Sequence, residues 1–294
     1  MDSLSLEALR RWYAEEVRWA SGVSDPRIVS AFASIPRESF LPQGPWHFST
    51  GMMTETYQPT PNAELHHLYH NVMVAIDPER ELNTALPSYM ASVLESAAID
   101  SGAQVAQIGA GLGYYSAILS NLVGPTGSVV ALEIDPLLAK QCASNLASYP
   151  NSACLHADGS TYSFNAGSLD VLIVHGAATH IPRRWLESLN IGGRIIAPFA
   201  YASDEPGQLA RITRQRTGFL VEFTQEVFAY PCVGTYTEEC AETLREAVEM
   251  YGWYTHSELR LDLENVDDSA WVVTPNYWIS MTERVDIHDG PTAP

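Results

Sequence analysis

The segment Val105-Ala106-Gln107-Ile108-Gly109-Ala110-Gly111-Leu112-Gly113-Tyr114 carries an apolar strand straight into a glycine-punctuated turn and the start of a helix. Glycines at 109, 111 and 113 let the backbone turn sharply and come within contact distance of a ligand that a Cβ would hold off. The open N–H groups of the helix that follows face the same ligand. A second apolar run, Val129-Val130-Ala131-Leu132-Glu133-Ile134-Asp135, ends on acid, and Ala157-Asp158-Gly159 closes a third. A carboxylate at the Glu133 position can accept both hydroxyls of a ribose, through charge-assisted bonds worth about 1.5–3 kcal/mol each. A dinucleotide fingerprint needs a small residue at its sixth position, where helix and strand pack over a pyrophosphate. Tyr114 stands there, so the pocket suits S-adenosylmethionine better than NAD.

Each of these residues has a plainer reading. The glycines could form a turn between packed elements. Glu133 or Asp135 could cap the helix that opens at Pro136; the cap is assigned to Asp135 and the ribose to Glu133. Asp158 could take the adenine amino group, or could be a turn-forming Asp-Gly.

Outward from this core the pattern alternates. Strands are expected at 104–108, 128–133, 153–156, 170–175 and 194–198, with helices at 114–123, 136–147 and 182–189. Short apolar runs separated by helices imply a parallel sheet buried on both faces. Residues 208–214 and 219–230, joined around Thr217-Gly218, read as an antiparallel hairpin finishing it. The fold class is therefore α/β and Rossmann-like, with a mostly parallel seven-stranded sheet. Upstream, Leu6, Leu9, Trp12, Tyr13, Val17 and Trp19 recur at helical spacing, and Ser24-Asp25-Pro26 caps a second helix. Residues 42–64 lack a period and read as a long loop, and a third helix spans 87–99. Beyond Thr237 one helix and two short strands are expected. The chain divides into N-terminal helices with an active-site loop at 1–86, a cofactor-binding unit at 87–232 and a C-terminal extension at 233–294. The last residues, 289–294, read as disordered.

The chain has 294 residues with 16 Lys and Arg against 35 Asp and Glu, a formal charge of −19. Such a balance repels phosphate backbones, which excludes nucleic acid and anionic membrane as expected partners. Residues 1–20 are interrupted by Glu7, Glu15 and Glu16 and do not form a signal peptide, and no run is long enough to span a bilayer. Cys142, Cys154, Cys232 and Cys240 lack metal or disulfide spacing and read as reduced thiols of a cytoplasmic protein. His66-His67 and His70 have a spacing that could ligate a metal, but no carboxylate completes such a motif; no metal is expected.

Jointly, several blocks resemble the protein-L-isoaspartate O-methyltransferase family of S-adenosylmethionine-dependent enzymes. Ile35-Pro36-Arg37-Glu38-Ser39-Phe40-Leu41-Pro42 resembles its "PR..F.P" signature, residues 69–76 its "YEDRPLPI" segment, and residues 82–87 lie where it has "QTISQP". Residues 170–178 and 189–194 resemble its later blocks. The resemblance implies a class I methyltransferase fold with cofactor contacts at Gln107, Gly109, Gly111, Gly113, Tyr114, Glu133, Ile134, Asp158 and Gly159. Gln107 stands where the family usually has an acid, and is expected to bond the methionine amino group without its charge. The serine that the family places near the accepting carboxylate falls on Ala85. Asn83, Thr84 and Ser88 are the remaining polar candidates for the acceptor pocket, and His175 ends the fourth strand at the carboxyl edge where ligands bind. His175 is equally readable as a structural histidine bonded to backbone.

The expected function is methylation of a carboxylate on a peptide or specialised-metabolite acceptor. That acceptor is already ionised at neutral pH and needs no base. A small-molecule amine or phenol acceptor would need one, from His175, His180 or Asp77. A cofactor-binding interaction protein without catalysis is the alternative from a different class.

Overall fold

The computed structural model describes residues 5–49, 57–80, 82–253 and 256–281. The terminal segment 289–294 and part of the loop at 42–64 lie outside them. The chain opens with helices α1 (Leu6–Ser21) and α2 (Pro26–Ser34). The Ser5 hydroxyl accepts from the Ala8 N–H, and Gly22 at φ 70° closes α1; Asp25 and Pro26 start α2 as capping chemistry dictates. Short strands follow: β1 (His47–Ser49), β2 (Gln58–Pro59), β3 (Met73–Asp77) and β4 (Leu82–Asn83) form a small antiparallel sheet in the order β2-β1-β3-β4. The sequence suggested only a loop over much of this stretch. Strands of two to five residues are too short for a period to show.

Helix α3 (Pro87–Ala97) leads to β5 (Gln104–Ile108), α4 (Tyr114–Val123), β6 (Ser128–Glu133), α5 (Pro136–Asn145) and β7 (Ser152–His156). The chain then crosses to the other side of β5 for β8 (Leu169–Val174), α6 (Arg183–Ser188) and β9 (Leu189–Phe199). The β10 (Gly207–Arg214) and β11 (Phe219–Val227) hairpin continues the sheet antiparallel. These seven strands are the expected ones. Helix α7 (Glu238–Tyr251) and strands β12 (His256–Arg260), β13 (Ala270–Val273) and β14 (Trp278–Ser280) come from the C-terminal segment. They extend the sheet to ten strands among the described residues, in the order β13-β14-β12-β11-β10-β9-β8-β5-β6-β7. The C-terminal segment thus lengthens the sheet, with three strands where two were expected.

Alternation along the central strands fills two cores. Val105 of β5 and Val171 and Ile173 of β8 face one side with Tyr13, Phe32, α3 and α4. Ala106, Ile108, Leu172 and Val174 face the other, with Trp185, Leu186, Leu244 and Tyr277. A sheet covered on both faces leaves only its strand ends for a ligand. The reversal of strand order at β5, with β6 on one side and β8 on the other, opens a crevice at their carboxyl ends. At the far end of the sheet, Phe223 packs its ring on Trp253 at 4.9 Å and Trp271 at 5.4 Å between centroids. The C-terminal tryptophans are core residues of the extension.

Candidate active site

A cavity of about 640 Å³ occupies the crevice, lined by the glycine loop, the ends of β6 and β8, residues 82–86 and residues 228–233. Gly109, Gly111 and Gly113 have φ of 78°, 56° and 90°. A Cβ on Gly109 would lie 3.1 Å from the His175 carbonyl oxygen, and one on Gly113 would lie 3.0 Å from the Cys142 sulfur. Between them, the Gly111 N–H donates to Glu133 Oε2 at 2.7 Å, while Glu133 Oε1 accepts from the Asp135 N–H at 3.0 Å. Glu133 is buried at 6% exposure and lines the cavity. A carboxylate oxygen has capacity for more than one donor, so Glu133 can hold loop and ribose together. Asp135 accepts from Leu137 and Leu138 N–H at 2.8 and 3.0 Å. It is the cap of α5, and its carboxyl is held below the usual range by the Leu138 N–H and by Arg80. No side chain caps α4, so its first N–H groups are open to a ligand. These features suit a nucleoside whose linker carries no phosphate: backbone within reach, a buried acceptor for two hydroxyls, and a buried tyrosine at the position where a dinucleotide loop has a small residue.

Ile134, Asp158 and Gly159 line the same cavity. Asp158 Oδ1 takes the Ser160 N–H at 2.9 Å and its hydroxyl at 2.7 Å, so the turn reading and the ligand reading of Asp158 are compatible. Gly159 must be glycine, because a Cβ would meet Ile108 Cγ2 at 2.5 Å. Tyr114 is a wall: its hydroxyl lies 3.3 Å from that of Tyr13 and its ring packs edge-on to Phe40.

Gln107, expected at the methionine amine, has its side chain engaged within the protein. It is buried at 1% exposure behind the cavity surface, and its Oε1 accepts from the Ser116 hydroxyl at 2.6 Å. Its Nε2 lies 2.9 Å from Nε2 of His175. With the amide oriented by Ser116, the ring nitrogen accepts and the imidazole proton sits on Nδ1. Burial draws the His175 pKa down to about 4. His175 is therefore a neutral ring at the cavity wall, stacked on Tyr115 at 6.0 Å.

Of the acceptor candidates, Asn83 and Thr84 line the cavity and Ser88 does not. Asn71 pairs with Ser88 on both groups, Nδ2 to Oγ at 2.9 Å and Oδ1 from N–H at 2.8 Å, which turns it into the start of α3. Asn83 Nδ2 donates to the Tyr57 hydroxyl at 3.1 Å, and its Oδ1 accepts from the Ala85 N–H at 2.8 Å. That side chain holds Ala85 at φ 54°, a left-handed conformation costly for a residue with a Cβ. Thr84 Oγ1 accepts from the Val74 N–H at 3.0 Å and from Arg37 Nη2 at 3.2 Å.

Two parts of the site were missed as functional groups. Arg37, 1% exposed, spreads its guanidinium over the Leu68, His70 and Val72 carbonyls and Thr84. No carboxylate among the described residues lies within ion-pair distance of it. The "PR..F.P" block contained it, but only the fold brings it beneath the acceptor segment. Arg80 lines the cavity and pairs with Asp135 Oδ2 at 2.7 Å, tying the turn between β3 and β4 to the cofactor side. His180 and Asp77 do not line the cavity. Among the described residues no three His, Cys, Asp or Glu side chains converge as metal ligands; His67 instead meets Asn62 Oδ1 at 3.0 Å. The four cysteines carry free thiols.

Comparison with known proteins follows the same lines. The family model described as protein-L-isoaspartate(D-aspartate) O-methyltransferase matches residues 14–235. A protein-L-isoaspartate O-methyltransferase of Ignicoccus hospitalis is 27% identical over 79% of this chain and 99% of its own length. One of Vibrio vulnificus is 30% identical over 72% of this chain and 90% of its own. Among solved structures, a protein-L-isoaspartate O-methyltransferase superposes with a TM-score of 0.60 at 20% identity, covering 91% of this chain and 87% of that one. A Plasmodium falciparum structure described as a protein of the same kind in complex with S-adenosyl-L-homocysteine has a TM-score of 0.60 at 15% identity, covering 76% of this chain and 98% of that one.

Proposed function

The chain belongs to the protein-L-isoaspartate(D-aspartate) O-methyltransferase family, and from that membership we propose that it methylates a carboxylate carried by a peptide or a specialised metabolite. It is an S-adenosylmethionine-dependent methyltransferase. When bound, the cofactor supplies a methyl group on a sulfonium, open to in-line displacement by an oxygen. The chain supplies position and dryness. Gly109, Gly111 and the N-terminus of α4 take the amino-acid side of the cofactor, Glu133 takes the ribose, and Ile134, Asp158 and Gly159 take the base.

The observation that carries the anionic acceptor is Arg37. A buried guanidinium with no carboxylate partner among the described residues is costly, and it projects positive potential onto Thr84 at the edge of the acceptor pocket. An acceptor carboxylate would complete that field, with Asn83 and Tyr57 as hydrogen-bonding groups beside it. No general base is needed. His175 supports this reading, since its Nε2 lies 2.9 Å from Gln107 Nε2 and its ring lies at the cavity wall. No helix among the described residues is long and apolar enough to cross a membrane.

Calorimetry with S-adenosylhomocysteine tests the cofactor half: wild type binds, and Glu133→Ala binds far more weakly or not at all. Methyl incorporation tests the acceptor half. With a carboxylate acceptor, His175→Asn retains transfer and the rate is flat between pH 6 and 9; a rate that rises with pH and disappears in His175→Asn would assign the base-dependent amine or phenol reaction instead. Ala85 stands at the family's serine position. Little turnover of an isoaspartyl peptide by wild type, with gain in Ala85→Ser, is the outcome expected of a specialised acceptor.

A further inference from the structure

Helix α1 carries a surface that the methyl-transfer site does not use. Trp12 and Trp19 are 69% and 75% exposed, seven positions apart and so on one stripe, ~10.5 Å apart along the axis. Glu15 and Glu16 fall between them on the same side. With Tyr69, His66 and His70 they line an open groove of about 630 Å³, floored by Tyr13. Solvent-facing tryptophans in pairs are unusual on a chain whose tryptophans 46, 185, 271 and 278 are buried and whose Trp253 is partly buried, and such patches mark interaction sites. We propose that this groove docks a basic segment of a polypeptide partner, seating a Lys or Arg side chain against Trp12 and Glu16, beside the Trp19 ring that Arg18 covers.

Charge and shape select that occupant. An aromatic face beside a carboxylate attracts an organic cation. The chain displays the same chemistry on its own residues: the Arg18 guanidinium lies 4.4 Å from the Trp19 ring centroid while it pairs with Glu15 at 2.8 Å. A second copy is disfavoured, because each copy carries a formal charge of −19 and would bring acid to acid. A small molecule is disfavoured because rings so exposed cannot enclose one, whereas small-ligand sites cover most of their ligand. The floor also touches the other site, through the hydroxyls of Tyr13 and Tyr114 at 3.3 Å.

The test uses the full chain and a short peptide of alternating lysine and leucine, read by tryptophan fluorescence and calorimetry, with a glutamate–leucine peptide and N-acetyl-lysine amide as comparisons. The lysine peptide is expected to bind, and to bind at least ~tenfold more weakly to the Trp12→Ala, Trp19→Ala double variant and to Glu16→Gln. S-adenosylhomocysteine affinity should be unchanged in both, which shows that they are folded and that the groove stands apart from the cofactor site. Absence of binding, or equal binding by wild type and variants, would assign any attraction to the diffuse acidic field and overturn the proposal. So would a wild-type dimer that the tryptophan variant dissolves, or N-acetyl-lysine amide binding as tightly as the peptide.

Discussion

At the residue scale the glycines divide by what surrounds them. Gly109 at φ 78° faces the His175 carbonyl, whereas Gly192 at φ 83° has nothing within 4 Å of a built Cβ. Both Gly→Ala changes incur the left-handed penalty of roughly 1–2 kcal/mol. Only Gly109→Ala also pushes the loop from the end of β8. Gly109→Ala is therefore expected to weaken S-adenosylhomocysteine binding at least ~tenfold, about 1.4 kcal/mol, while Gly192→Ala lowers only the melting temperature; equal affinities in calorimetry would contradict the close-approach argument. His175 gives a pH signature with a definite sign. Its pKa is about 4 in the fold against an ordinary 6.5, so between those values the unfolded chain binds the extra proton. Stability is complete above pH 6.5 and falls with acidification toward pH 4, by up to ~1.4 kcal/mol per pH unit. In His175→Asn that slope should be shallower in denaturant titrations between pH 4 and 6.5. The position of the glycines and Glu133 on the cavity was legible from sequence because it follows from residue type at a strand end. The partners of Gln107, Ser116 and His175, were not legible, because they converge only in the folded chain.

At the scale of elements, the parallel half of the sheet was readable because every strand there is an apolar run bounded by a helix start, such as Asp135-Pro136. The small sheet at β1–β4, and the number and pairing of the last strands, were not, since these depend on pairing: β12 lies on β11 and β14 on β12. The same dependence makes the turn between β3 and β4 a strap. It is fixed at its base by Arg37, whose guanidinium bonds Val72 and Thr84 on either side of it. Near its tip it is fixed by Arg80 on Asp135. The base is buried. The tip is half-exposed, so the Arg80–Asp135 pair should contribute only about 0.2–1 kcal/mol and be screened by salt. A double-mutant cycle with Arg80→Ala and Asp135→Asn, which keeps the α5 cap, is expected to give coupling in that range and a severalfold faster release of S-adenosylhomocysteine. No coupling and unchanged release would mean that the strap is held by its base alone.

At the scale of the whole molecule, the formal charge of −19 acts on the two forms of the cofactor differently. S-adenosylmethionine carries a sulfonium in addition to its amino-acid zwitterion, so it arrives as a cation; S-adenosylhomocysteine leaves neutral. The cavity lining sharpens this, with Glu133, Asp135, Asp158 and Asp204 against Arg37 and Arg80, and Asp135 and Arg80 largely cancel as a pair. A negative field concentrated in a low-dielectric cleft raises the encounter rate of a cation and does little for a neutral ligand. Ionic strength dissects the two, because the field beyond about 10 Å is screened at 0.1 M salt. In stopped-flow experiments the association rate of S-adenosylmethionine is expected to fall severalfold between about 0.01 and 0.5 M salt, spanning Debye lengths from ~30 Å to a few ångströms, while that of S-adenosylhomocysteine stays within about twofold. Parallel salt dependences would show that the acidic surface has no part in sorting substrate from product, and would leave its charge to solubility and to the basic partner inferred at α1.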